Sequence, residues 1–187
     1  MFLRITMLLG ILTGSIACSG KSGLKAPDPE QTSDLALAER NTERAMNLFV
    51  NAKKVWFSQD GTAMSRYYNP FTGNKSDEKA SVWMYTSAIE AANAILKSLV
   101  VLKEAGSPAL YEQHHLRYEN ILSELVDNLE YYAGTYELTS YTQTKQWTVY
   151  GANRPTAKGC ANVQGRENVY DDQQWLIREL LESYHLT

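Results

Sequence analysis

Apolar residues recur at three- and four-residue steps in four stretches of the chain, and each stretch predicts a helix with one buried stripe. The first helix is expected from about Asp34 to Phe57, with Ala38, Asn41, Ala45, Leu48, Ala52 and Val55 in line. The second runs from about Lys79 to Ala105 on Val82, Tyr85, Ile89, Ala92, Leu96 and Leu99. The third runs from about Ala109 to Tyr132 on Tyr111, His115, Tyr118, Leu122, Leu125, Leu129 and Tyr132. The fourth begins at Asp171 and reaches the last residues, with Ile177, Leu180, Leu181 and Tyr184 as its apolar positions. No stretch alternates in a way that predicts a βαβ unit, so the fold class is all-α.

The connections differ in length. Gly106-Ser107-Pro108 is a tight stop, which makes helices 2 and 3 antiparallel neighbours. The connection between helices 1 and 2 is about twenty residues, and Gly134 to Tyr170 has no helical pattern at all. Within it, Thr135 to Val149 is rich in Thr and Tyr with some alternation and is able to hold a short hairpin. Connections that long are uncommon unless they are functional. Alternation of long and short connections is the rhythm of helical hairpins arranged around a ring, with the long loops at one end. Helices 2 and 4 then run parallel, and Trp83, Met84 and Tyr85 come near the start of helix 4.

Composition narrows the picture. The chain has 187 residues, 44% of them hydrophobic, which is enough for one globular domain with its own core. With 18 Lys and Arg against 21 Asp and Glu, it lacks the basic footprint of a nucleic-acid binder. Twelve Tyr and four Trp suit a core and also a carbohydrate or protein contact surface.

The N-terminus changes the expected location. Arg4, the apolar run Ile5 to Ile11 and Ser15-Ile16-Ala17 before Cys18 have the layout of a signal peptide with cleavage after residue 17. The same stretch resembles a bacterial lipobox, although Ser15 departs from the usual Leu. The protein is therefore expected at the cell surface or outer membrane, or secreted, and to meet the membrane only through a lipid on Cys18. Residues 18–33, rich in Gly, Ser and Pro, read as a flexible tether. Residues 34–187 form the folded part. Cys160 has no evident His partner and reads as a packed small residue.

The candidate chemistry sits where the last long loop becomes a helix. Asp171 and Asp172 are adjacent, Tyr170 precedes them and Trp175 follows. A carboxylate pair flanked by aromatic rings fits sugar cleavage. One acid protonates the leaving oxygen and the other attacks the oxocarbenium-like centre. The simpler reading is an N-cap followed by an acid that suits the helix dipole. Glu167 is close enough to hold a sugar hydroxyl, but a solvated loop carboxylate is the plainer role. His114-His115 cannot form the i, i+4 face of a zinc motif, and His115 reads as a core residue. There is no cysteine–histidine cluster with zinc spacing, so neither metal nor cofactor is expected.

Three blocks together resemble a known family. Tyr67-Tyr68-Asn69-Pro70-Phe71-Thr72-Gly73, then Trp83-Met84-Tyr85 with Ala88-Ile89-Glu90-Ala91, then Val169-Tyr170-Asp171-Asp172-Gln173-Gln174-Trp175 are similar to glycoside hydrolase family 76. The similarity runs from about residue 35 to the end, and the order and spacing of the blocks agree. It implies an (α/α)6 barrel and a retaining endo-hydrolase of α-1,6-linked mannose chains. It implies Asp171 as nucleophile and Asp172 as general acid/base. The expected sugar contacts are Tyr170 and Trp175 beside the pair, Asn168 before it, and Trp83 and Tyr85, which are more often core and which only the parallel run of helices 2 and 4 brings to the site. The expected partner is a mannose-containing polysaccharide, and the expected state is a monomer. Such a barrel has twelve helices, so four helices make a partial barrel, the N-terminal part of the domain. The alternative is a non-catalytic glycan-binding surface lipoprotein.

Overall fold

In the computed structural model, residues 34–187 are described; the targeting segment 1–17 and the tether 18–33 lie outside them. The elements are α1 (Asp34–Trp56), α2 (Val82–Glu104), α3 (Ala109–Asn128), β1 (Ala133–Ser140), β2 (Gln143–Tyr150) and α4 (Tyr170–Leu186). Short 3-10 turns occupy Leu129–Tyr131 and Gly165–Glu167. The described chain is mostly helical, with one two-stranded antiparallel ribbon where the hairpin is expected.

α2 is the central helix. Its expected stripe is the core: Val82, Tyr85, Ile89, Ala92, Leu96 and Leu99 are all buried. Ser81 caps it, its hydroxyl accepting from the Met84 amide at 3.4 Å. α3 returns antiparallel across the Gly106 turn, where φ is +90° and glycine avoids the steric cost of a left-handed residue. Tyr118, Leu122, Leu125, Leu129 and Tyr132 face α2 as expected, while Tyr111 and His115 are half-buried. His115 stacks on the Tyr111 ring at 4.1 Å, and its Nδ1 lies 2.7 Å from the Tyr111 carbonyl.

α1 lies where expected but is rotated. Its buried residues are Thr42, Met46 and Phe49, and Leu48 is 71% exposed. The expected stripe is displaced by one position, about 100° around a helix. Both stripes have the same period, and the larger side chains win because they bury more apolar area. Phe49 packs on the Tyr118 ring at 5.9 Å, and the Tyr118 hydroxyl donates to the Met46 carbonyl at 3.4 Å.

α4 is rotated in the same way. Leu176, Glu179 and Ser183 are buried, whereas Ile177, Leu181 and Tyr184 are more than half exposed. Here the buried face is polar by design of the interface with α2. Asn93 donates to the Glu179 carboxylate at 3.1 Å and to its backbone carbonyl at 3.0 Å, and Ser183 donates to the Asn93 side chain at 3.0 Å. A hydrophobicity pattern assigns such residues to the outside.

Candidate active site

Three pairings fix the direction of α4 against α2. Trp83 meets Trp175 with ring centroids 5.8 Å apart, Glu90 meets Arg178 at 3.2 Å, and Lys97 meets Glu182 at 2.7 Å. Residue numbers rise together on both helices, so the helices are parallel and their N-termini share one end. The C-terminal end of α1 is there too: Trp56 lines a crevice of about 330 Å³ with Met64, Trp83, Met84 and Trp175. The expected meeting of Trp83 with the start of α4 is therefore present.

Two loops build this end. The connection 57–81 folds back on itself through antiparallel bridges Phe57–Met64, Ser65–Lys79 and Tyr68–Lys75. At its tip the Asn69 side chain accepts from the Phe71 amide at 2.9 Å, and Gly73 takes a φ of +73°. The segment after β2 is stitched to α2 and to the approach of α4. The Val82 amide donates to the Ala152 carbonyl at 2.9 Å, and the Ala152 amide to the Glu167 carbonyl at 2.8 Å. The Glu167 carboxylate accepts from Asn153 at 2.7 Å. Glu167 thus holds the loop together.

The first turn of α4 places the aspartates. Val169 is the capping position and has no side chain able to accept a hydrogen bond. Asp171 and Asp172 lie inside the first turn, and neither makes a capping bond. The N-cap reading of the pair is overturned; what remains of it is the favourable position at the positive end of the helix dipole. Gln173 fastens this turn to β2: its amide donates to the Tyr150 carbonyl, and its oxygen accepts from the Tyr150 amide at 3.3 Å.

The two carboxyls are not equivalent. Asp171 is exposed and Asp172 is partly covered. Burial pushes the Asp172 carboxyl above the ordinary carboxylate range, and the charge of Asp171 pushes it further the same way. Asn168 is partly covered just before the helix, and Tyr170 is 79% exposed. Trp175 stands one turn below the aspartates, with the Arg178 guanidinium 5.2 Å from its ring. Its indole nitrogen is buried and has no hydrogen-bond partner among the described residues.

Tyr85 does not belong with these residues. It is fully buried, and its hydroxyl donates to the Leu125 carbonyl at 3.1 Å. Its ring packs on Tyr132 at 5.4 Å, and desolvation raises its pKa far above the ordinary phenol value. Position 85 points inward because Trp83 points outward, two residues apart on a helix. Tyr85 is a core residue, not a sugar contact.

Trp56 is half-buried and lines the same crevice, its ring 6.0 Å from Tyr68. Cys160 is an exposed free thiol rather than a packed residue. A larger groove of about 1060 Å³ lies between α1 and α3. Two of the cations that line it are engaged: Lys53 pairs with Glu124 at 3.2 Å, and Lys75 donates to the Lys54 and Phe57 carbonyls at the end of α1.

Among the described residues no group of three or more His, Cys, Asp or Glu is placed to hold a metal ion, and no helix is long and apolar enough to cross a membrane. Comparison with known proteins finds no matching family model, no matching curated protein and no matching solved structure.

Proposed function

We propose that the chain is a retaining glycoside hydrolase of the α-1,6-mannanase type, with α1–α4 as two of the six hairpins of an (α/α)6 barrel. The observation that carries the reading is the adjacent pair Asp171–Asp172 in the first turn of α4, beside Trp83 and Trp175 and without a capping role. Asp172, held toward its protonated form, is suited to protonate the glycosidic oxygen as the C1–O bond breaks. Asp171 forms the ester to C1. Water then attacks C1, gives its proton to Asp172 and frees Asp171. Retaining cleavage needs carboxyls about 5–5.5 Å apart, a separation that neighbouring side chains are able to adopt.

The test is hydrolysis of linear α-1,6-mannan, read as new reducing ends. Asp171→Asn and Asp172→Asn should each abolish it, the second by at least about 10²-fold. Both variants should stay folded, since losing a first-turn charge costs only about 0.3–1 kcal/mol. Wild-type turnover in both variants would make the pair structural and remove the hydrolase reading.

A second reading is a non-catalytic glycan-binding surface protein, favoured by the exposure of Asp171 and Tyr170. Mannan binding without hydrolysis by a domain completed to six hairpins selects it. Both readings place the protein outside the cell, tethered through a lipid on Cys18. Intact-mass analysis of membrane-extracted protein should show loss of residues 1–17 and added acyl chains, and an unmodified soluble form overturns the lipid anchor.

A further inference from the structure

The β1–β2 ribbon is two-faced. Pairing of Tyr136 with Trp147 and of Leu138 with Lys145 puts these four side chains on one face. The other face carries Thr135, Glu137, Thr139, Thr144, Gln146 and Thr148. The polar face satisfies itself: Thr139 and Thr144 hydroxyls meet at 2.9 Å, and Gln146 donates to Glu137 at 3.3 Å. The other face leaves Leu138 52% and Trp147 54% exposed. A two-stranded ribbon alone is marginal in water, and this one keeps its apolar side uncovered.

The turn adds a second observation. Tyr141 and Thr142 join the strands, and Tyr141 takes a φ of +51° with its side chain fully exposed. Glycine, asparagine or aspartate suits that conformation, and a tyrosine there costs about 1 kcal/mol or more. The ring at the tip contributes nothing to folding that glycine would not provide better.

We propose that this face of the ribbon, with Tyr141 at its tip, binds a neutral polysaccharide chain and extends the aspartate site along it. The proposal rests on the reading of that site as a glycan site. Three features select the occupant. The ribbon carries one acid, Glu137, and one base, Lys145, which gives no handle for a charged polymer or an anionic lipid surface. The uncovered face is about 10 Å by 20 Å, roughly 200 Å² against the roughly 800 Å² per partner of a stable protein interface. The ribbon is also tied to the turn that carries the aspartates, by Gln173 on both backbone groups of Tyr150 at the end of β2 and by the chain itself. The segment Ala161–Val163 crosses the ribbon base on this same face, against Gly134 and Gly151, and leads in seven residues to Tyr170. Ser140 and Gln143 pair on this same face, and flat rings beside a hydroxyl and an amide are what a row of sugar units requires, C–H faces on the rings and hydroxyls on the polar groups.

The experiment uses the full chain carrying Asp171→Asn, so that polymer is not consumed. Binding is read by electrophoretic retardation in gels containing linear α-1,6-mannan, and by titration with α-1,6-mannotetraose. Trp147→Ala and Tyr141→Gly should each weaken retardation by the polymer about 2- to 10-fold. The tetraose should be bound nearly as before, because it fills only the aspartate end. Tyr141→Gly should also raise the melting temperature, separating a binding role from a folding one. Unchanged retardation in both variants overturns the ribbon proposal, as does absence of retardation in the parent. A concentration-dependent dimer that the two substitutions dissociate also overturns it, since the occupant is then a second copy. None of these results depends on catalysis, so loss of hydrolysis in the aspartate variants is scored separately.

Discussion

The Gln173 side chain grips both backbone groups of Tyr150, accepting from the amide and donating to the carbonyl. It continues the β2 ladder by one artificial rung and ties the turn holding Asp171 and Asp172 to the end of the ribbon. Gln173→Ala removes both bonds and leaves the partly buried Tyr150 groups without partners. The expected loss is about 1–3 kcal/mol. Hydrogen exchange at the Tyr150 amide should accelerate more than at α2 core amides, and equal protection of Tyr150 in both proteins contradicts the link.

Gly134 and Gly151 are close-approach glycines. A Cβ on Gly134 would lie 2.3 Å from the Ala161 carbonyl oxygen, and one on Gly151 2.3 Å from that of Asn162. These are backbone atoms, which cannot swing aside. Gly134→Ala and Gly151→Ala should each destabilise by about 1–3 kcal/mol or more, read by thermal or urea unfolding. Gly73→Ala at the exposed tip of the 57–81 loop meets no atom and offers a control limited to its backbone cost.

These particulars show what is legible in the chain. The α2 stripe reads directly because it is apolar on every turn and buried on nearly every side. α1 and α4 read correctly as helices and wrongly as faces, each by one residue. In α1 two stripes share a period, and the larger side chains of Met46 and Phe49, packed into the core against Tyr118, choose between them. In α4 the choice is made by Asn93, Glu179 and Ser183, whose polarity misleads any reading that equates burial with apolarity. The aspartates and their tryptophan neighbours are legible as local pattern plus helix direction. The Tyr85 position fails because proximity along the chain says nothing about which side of a helix faces the solvent.

The polar link between α2 and α4 should be costly to break. Asn93→Ala leaves the buried Glu179 carboxylate with Arg178 as its remaining partner and removes one of the two acceptors of Ser183, leaving it the Glu179 carbonyl. A hydrogen bond to a charged group is worth about 1.5–3 kcal/mol. The expected fall in stability lies in that range, measured by denaturant unfolding. A Trp83/Trp175 double-mutant cycle should show coupling of about 0.5–1.5 kcal/mol, and no coupling contradicts the parallel packing of the two N-termini.

The last prediction concerns pH and Asp172. Its folded pKa is raised above the ordinary aspartate value of 3.8, first by burial and then by the charge of Asp171. A carboxyl with a raised folded pKa favours the native state when protonated. That contribution is fully present below pH 3.8 and is lost as pH climbs through the folded pKa. Asp172→Asn has no proton to lose there. The stability of the variant relative to wild type should therefore rise as pH climbs from below 3.8 through the folded pKa and level off above it. The side chain is mostly solvated, so the change is small. Melting curves of both proteins across that range measure it as a widening difference in Tm. The dipole of α4 pulls the opposite way, because it favours the ionised form. A difference that narrows with rising pH means that the dipole outweighs burial and the neighbouring charge. Asp172 would then be a poor proton donor near neutral pH, and Asp171 would take the acid role in its place.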